Sequence, residues 1–375
     1  MKAAVCYEVN KPLVIEDVTM DPPGKGEVKV RIAATAICHS DIHSFKGEHG
    51  VPKLPAVGGH EVAGYVDEIG EGVTSVKPGD PVVVSLESSG CGKCYYCIIG
   101  FPQRCLERHP RMRPPGKFAG LAGLGRYTNS RGQRLYQFGG PTIAGFVEYT
   151  VTGEKHLIKV PEDMPIDRAA LLACGVMTGY AAVVHRAQVK PFSSVIVMGT
   201  GGVGLNSIQA ARLSGASPII AVDVLDSKLE AARAFGATHF INAKKEKDPV
   251  EKAYDLTSGR GADYVFISVG GMGPLRQGFK MSGFRGMTVI IGHAGDETLS
   301  DFEPTDFIGG ERMLTGAGMQ SGVFALDIPH FVQLYQDGQL KLDELITGRY
   351  PLEKINEAIA SSESGEALRN VIIFD

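Results

Sequence analysis

The sequence predicts an α/β protein with a β-rich first part followed by a doubly wound parallel sheet. Three observations predict it. Alternating and β-branched runs dominate up to about residue 165, strand-like and helix-like segments alternate from about residue 166, and a glycine-rich turn joins one such strand to one such helix. The chain has 375 residues, enough for two domains with a sizeable core.

In the first part the strand candidates are "KAAVCY", "LVIEDVT", "EVKVRIAATAI", "EVAGYVDEIG", "PVVVSL", "FVEYTVT" and "LIKV", separated by turn clusters such as "VKPGD". Near residue 166 the pattern changes to "IDRAALLACGVMTGYAAVVHRA", a long Ala-rich helix. "SVIVMG" then leads into a helical "VGLNSIQAARLSG", and "IIAVDV" into "SKLEAARAFG". The second helix has Ser227 and Glu230 at capping-box spacing and a closing Gly236. "HFIN", "DYVFISV" and "MTVIIG" continue the series. "ALDIPHFVQLYQDGQL" predicts a helix ending in Gly, and "RNVIIFD" a strand too late for the parallel sheet. That strand is expected to rejoin the β-rich part, which makes one domain discontinuous (1–175 and 319–375) around the other (176–318).

A net charge of −4 without any basic tract argues against a nucleic-acid partner, and none is expected. The N-terminal stretch carries charges at Lys2 and Glu8 and no apolar run, unlike a signal peptide. The longest charge-free segment, between Lys190 and Arg212, is broken by Pro191, Asn206, Gln209 and glycines, so no membrane span is expected. The expectation is a soluble, cytoplasmic protein.

Gly199, Gly201 and Gly204 form G-x-G-x-x-G, and Gly202 and Val203 within it are candidate cofactor contacts. Such a turn lets backbone N–H groups approach a pyrophosphate at a helix N-terminus. Asp223, closing "IIAVD", stands where a carboxylate accepts bonds from a ribose 2′-OH and repels a 2′-phosphate, which favours NAD over NADP. Of seven cysteines, four crowd into "CGKCYYCIIGFPQRC" as Cys91, Cys94, Cys97 and Cys105. The spacing suits one closed tetrahedral site, a structural zinc, with iron as the chemical alternative. Lys93 and Arg104 either offset its charge or, as surface residues, do nothing. Cys6 belongs on an apolar strand. Cys38 lies in "CHSDIH", His60 in "GGHEVAG" and Cys174 in "LLACGVMTGY". Spacing alone does not join these three.

In "GHEVAG", "VKPGD", the four-cysteine loop, "CGVMTGY", "GTGGVG" and the late strand, nearly the whole chain resembles the zinc-dependent medium-chain alcohol dehydrogenases. The stretch between Cys105 and Phe146 resembles the long, two-zinc branch that includes glutathione-dependent formaldehyde dehydrogenases. The resemblance implies a GroES-like catalytic domain and a Rossmann coenzyme domain. It implies an open catalytic zinc on Cys38, His60 and Cys174, a second structural zinc, NAD, and reversible oxidation of a primary alcohol to an aldehyde. It assigns Ser40 as acceptor of the alcohol proton, His43 as the outer end of a relay that passes the proton through the nicotinamide ribose to solvent, and Asp41 as partner of His60. Glu61 would stand behind the zinc, and His39 would face the pyrophosphate. Lys228 would lie beside the adenosine ribose, Arg369 would reach the pyrophosphate, and Val269, Gly292 and Ala317 would contact the nicotinamide. The substrate channel would be lined at Leu86 or Glu87 and at Phe138.

Duller roles compete: Ser40 or Asp41 as helix caps, Glu61, His43 or Arg369 as surface charges. A formaldehyde dehydrogenase acting on an S-(hydroxymethyl)thiol adduct is an alternative, with Arg111 and Arg113 as attractors of an acidic adduct. A non-catalytic NAD-binding redox sensor is another. Cys174 argues against the polyol dehydrogenases, which usually carry Glu at that ligand position. "RMLTGAG" at a sheet edge suggests a homodimer, with a homotetramer second.

Overall fold

The Glu27–Ala36 strand frames the first part of the molecule. Val28, Val30 and Ile32 point inward at period two, and its second half is buried on both sides. A strand so enclosed needs a partner on each edge, or its backbone polar groups stay unpaired. Glu61–Ile69 takes one edge; Tyr149–Gly153 and Arg369–Ile373 share the other, all antiparallel.

The computed structural model describes residues 1–48, 53–107, 123–138, 143–292 and 302–375. The chain divides into two compact units. The first comprises Met1–Cys174, Val323–Gly338 and Leu342–Asp375; the second comprises Gly175–Gly322 and Gln339–Lys341. The first unit contains a 7-stranded sheet around Glu27–Ala36 and a closed barrel of Lys2–Cys6, Val14–Met20, Gly123–Asn129, Arg134–Gln137 and Ala56–Val57. The sheet's register carries a consequence for chemistry. Ala36 lies opposite Glu61 on one side and Val371 on the other, and Ile37 N–H donates to Asn370 O at 2.9 Å. Continued by two residues, the same register brings Arg369 level with Cys38.

The second unit is a parallel sheet of 6 strands in the order His239–Asn242, Ile219–Asp223, Val195–Met198, Ala262–Ile267, Ser282–Ile290, Met313–Gly316. Every pairing is parallel. The strands are near-continuous apolar runs because helices cover both faces; Ile196, Met198, Ile220, Val222, Ile241, Val265 and Ile267 make the core. The strand order reverses beside Val195–Met198, the place where such sheets bind ligands.

Two local expectations need correction. The capping box of Ser227 and Glu230 does not form. The helix begins two residues earlier, at Asp226 with Leu225 as its cap, and Asp223 holds the chain leading into it by accepting from the Val224 and Leu225 N–H groups at 2.7 and 3.1 Å. The long helix over Ile166–Ala187 is also not uniform. It widens into π-type turns at Leu172–Val176 and Ala182–Ala187, a feature common where a helix serves a site. By length and composition this helix could cross a bilayer, yet 83% of its most apolar window is buried in the protein, as in a core helix.

Asp167 anchors the start of this helix. It accepts from Arg168 Nη1 at 2.8 and 3.0 Å and from Arg349 Nε, on the Ile346–Pro351 strand, at 2.9 Å. Burial raises its pKa, but the two guanidinium groups outweigh burial and hold it below the ordinary carboxylate range. A depressed folded pKa contributes stability above the unfolded value of 3.8 and loses it as pH falls through the folded value. Asp167→Asn should therefore cost about 1–3 kcal/mol near neutrality. In thermal unfolding across pH, the gap from wild type should close in acid; a gap independent of pH would mean that packing, not charge, is what Asp167 supplies.

Candidate active site

The Glu27–Ala36 strand ends two residues before Cys38, and the chain turns at once into the helix His39–Phe45. Asp41 caps this helix from within: its Oδ2 accepts from Cys38 N–H at 3.3 Å. Its Oδ1 accepts from Gly59 N–H at 3.1 Å and faces His60 Nδ1 at 3.0 Å. One carboxylate thus both caps the helix and fixes the His60 ring, leaving Nε2 as that ring's ligand nitrogen. Cys174 arrives from the first widened turn of the long helix.

The ligand atoms of Cys38, His60, Glu61 and Cys174 all lie within 4.8 Å of one another, and all four residues are buried. The Cys174 thiol and the His60 ring hold Cys38 well below the ordinary thiol range, while the Cys38 thiolate and burial raise Cys174. Burial disfavours charge on His60, but the Asp41 carboxylate lifts its pKa well above the ordinary imidazole value. Burial pushes Glu61 up to about 7 against the pull of Arg369. Glu61 Oε2 accepts from Arg369 Nη2, whereas Oε1 is buried with no hydrogen-bond partner. Two thiols, a tethered imidazole and an orphaned carboxylate oxygen fit a zinc ion.

Ser40 adjoins this set, with Oγ 3.2 Å from Cys38 Sγ and 3.5 Å from His60 Nε2. His43 lies one helical turn on, half-buried, with Nδ1 against the Glu48 carboxylate. His39 is exposed, its ring 6.3 Å from that of His43. Phe138 packs on buried Phe45, with ring centroids 5.4 Å apart.

Three of the expected residues have neighbours that the sequence did not announce. Arg369, sent by the resemblance to the pyrophosphate, is 6% exposed and bonds Glu61, because the sheet register carries it into a buried carboxylate. Leu86 is buried, but Glu87 lines a cavity of about 370 Å³ with Ser88, Gln103, Glu154 and Lys155. None of the four clustered metal-ligand candidates borders that cavity. Lys93 pairs with Glu107 at 3.0 Å, and the Glu107 carboxylate followed by the charges of Cys91 and Cys105 raises its pKa. Arg111 and Arg113 lie outside the described residues.

In the four-cysteine loop Cys91, Cys94, Cys97 and Cys105 also bring their sulfurs within 4.8 Å of one another. Leu106 N–H donates to Cys94 Sγ at 3.5 Å, and this bond leads the lowering of its pKa to about 6. Gly90 has φ +76°, and a Cβ there would meet Cys97 Sγ at 2.7 Å, so the loop closes only around glycine. The donor set supplies four sulfurs, which fits a closed, structural zinc site.

In the second unit the glycine turn follows the Val195–Met198 strand. A Cβ on Gly204 would meet Gly199 O at 1.8 Å, whereas beside Gly201, the cap of helix Gly202–Leu213, there is open space. That opening at a 12-residue helix N-terminus, with Val203 in its first turn, fits a pyrophosphate. Asp223 turns Oδ2 to Thr200, accepting from its N–H at 2.7 Å and its hydroxyl at 2.9 Å. Lys228 is buried, and burial lowers its pKa against the opposing pull of Asp223. Val269, Gly292 and Ala317 follow the C-terminal ends of three neighbouring strands. Sequence reasoning missed Thr200, the partner of Asp223, and Ser268, whose hydroxyl donates to Gly199 O at 2.7 Å. It also missed Glu48. Thr200 was the one with a signal, as the first variable position of the glycine motif.

A metal centre in one unit and a dinucleotide turn in the other define a class, the metal-dependent dehydrogenases that use a nicotinamide cofactor. The alcohol dehydrogenase GroES-like domain family matches residues 24–162, and the zinc-binding dehydrogenase family matches residues 202–337. The S-(hydroxymethyl)glutathione dehydrogenase of Saccharomyces cerevisiae is 36% identical over 379 residues, covering 100% of this chain and 96% of that protein. Two crystal structures share the fold along the whole chain. An alcohol dehydrogenase zinc-binding domain protein from Burkholderia ambifaria has TM-score 0.89 and 34% identity, covering 100% of this chain and 98% of that one. Benzyl alcohol dehydrogenase from Acinetobacter calcoaceticus has TM-score 0.87 and 33% identity, covering 100% and 99%. The chain belongs to the zinc-dependent alcohol dehydrogenase family and is an NAD-dependent alcohol dehydrogenase.

Metal analysis should find about two zinc ions per chain, one for each cluster. Cys174→Ser should bring the content to about one, and Cys94→Ser should do the same while lowering the melting temperature by about 5 °C or more. Equal zinc content in wild type and Cys174→Ser would remove Cys174 from the ligand set.

Proposed function

We propose that the chain oxidises primary alcohols to aldehydes, reversibly, with hydride transfer to NAD. Ser40 carries this reading: a hydroxyl touching both Cys38 and His60 sets a proton acceptor directly against the metal donor set. Zinc, when bound, supplies Lewis-acid polarisation of the substrate oxygen. The chain's own residues do the rest. Ser40 Oγ takes the hydroxyl proton and hands it outward toward His43, three residues along the same helix. Asp41 keeps His60 in the ligand tautomer, and Arg369 balances the Glu61 carboxylate beside the thiolates. Phe138 and Leu86, or Glu87 beside it, give the substrate chain its wall.

Asp223, held by Thr200, offers its carboxylate to the adenosine ribose, where a 2′-phosphate would meet like charge. The Met313–Gly316 strand, at the edge of its sheet with Met313 exposed, suits pairing with a second copy in a homodimer.

A second reading, oxidation of an S-(hydroxymethyl)thiol adduct, is favoured by the named activity of the yeast relative. Initial rates separate the two. With NAD⁺, primary alcohols of increasing length and benzyl alcohol should be turned over faster than formaldehyde plus glutathione, and NADP⁺ should be worse by about 100-fold. Ser40→Ala should lower kcat by about 10²-fold or more. Preference for the glutathione adduct would favour the second reading; no alcohol turnover by protein that binds both zinc and NAD would end the first.

A further inference from the structure

The proton path just proposed ends on His43, and a histidine relays protons in one direction only when its tautomer is set. A neutral imidazole has one N–H and one basic nitrogen, and the group bound at the first decides which nitrogen is the base.

The helix His39–Phe45 sorts its side chains. Asp41, Ile42 and Phe45 are buried, while Ser40 and His43 fall one turn apart. Past Lys46 the chain reverses at Gly47, where φ is +71°. The reversal folds Glu48 back onto the helix end: its N–H donates to His43 O at 2.9 Å, and its Oε2 lies on His43 Nδ1. Glu48 therefore grips His43 by backbone and side chain together. The adjacent cation, Lys46, bonds Glu363. With the side chains 26% and 43% exposed, such a pair contributes little to stability.

We propose that Glu48 is the positioning residue of the proton relay. Nδ1–H is donated to the carboxylate, which makes Nε2 the basic nitrogen that receives the proton from the Ser40 side. The imidazolium so formed stands against a carboxylate that stays ionised and takes no proton; the proton leaves from Nε2 to water. This rests on the reading of Ser40 and His43 as the proton path.

The test uses zinc-loaded, full-length protein in four forms beside wild type: Glu48→Ala, Glu48→Gln, His43→Gln and the double variant Glu48→Ala/His43→Gln. Nitrogen NMR of ¹⁵N-histidine protein in alkaline buffer reports the tautomer, with the His43 signals among 10 histidines identified by their loss in His43→Gln. Wild type should show a protonated Nδ1. Glu48→Gln, which can still accept the bond, should keep that tautomer, and Glu48→Ala should shift it toward Nε2–H. In steady-state kinetics Glu48→Ala should lower kcat on the order of tenfold with KM for alcohol nearly unchanged. In the His43→Gln background the same change should cost less than about twofold, since residues acting as one unit are not additive. An unchanged His43 signal in Glu48→Ala, or a full tenfold loss in the His43→Gln background, overturns the role of Glu48. If His43→Gln itself leaves kcat intact, the proton path is what fails, and the NMR result still decides which nitrogen Glu48 holds.

Discussion

The rest of the first unit is arranged around one electrostatic problem: five ionisable side chains and a guanidinium buried together. Cys38, Asp41, His60, Glu61, Cys174 and Arg369 are each less than a tenth exposed, and such a gathering is stable only if its charges cancel locally. Two potential thiolates and two carboxylates face a single permanent cation. Without a metal, protons make up the deficit, which is why burial holds Glu61 near 7 and Cys174 well above the ordinary thiol range. A divalent ion replaces those protons, so binding it releases them and couples metal affinity to pH. Arg369 has its place in the same account. It is drawn onto Glu61 because a buried carboxylate beside thiolates needs a cation that never deprotonates.

The two metal clusters differ in how far the sequence reveals them, and the difference is physical. Cys91, Cys94, Cys97 and Cys105 close within one loop, so their spacing carries the geometry. Cys38, His60 and Cys174 are joined only by strand register and by a widened helical turn, neither of which has a local signature. A family resemblance can bring those three together; residue spacing cannot. The parallel sheet was legible because buried strands alternating with helices impose a pattern on composition itself. The capping box near Ser227 failed for the opposite reason. Its spacing was right, but the helix starts at Asp226, which puts Ser227 inside the first turn and not at the cap.

Arg369 and Glu87 show a further limit. A sequence position says what a side chain is, whereas its partner depends on which strand lies alongside. Arg369 meets Glu61 because both strands pair with Glu27–Ala36 at its end. Glu87 lines a cavity beside the four-cysteine loop because the chain turns after Pro81–Val84, and no local pattern announces the direction of that turn.

Asp41 and Asp223 finally remove a choice that sequence reasoning poses, between a carboxylate that caps and one that serves a site. Asp41 accepts from the backbone of Cys38 and Gly59 and from the same carboxylate holds His60. Asp223 accepts from Val224 and Leu225 through one oxygen and grips Thr200, within the glycine turn, through the other. Backbone donors cannot move without unwinding the element they belong to, so each carboxylate is fixed by the fold before any ligand arrives. The half-buried His43 is held in another way: the reversal at Gly47 returns Glu48 to the helix end, where its N–H and its carboxylate both meet His43.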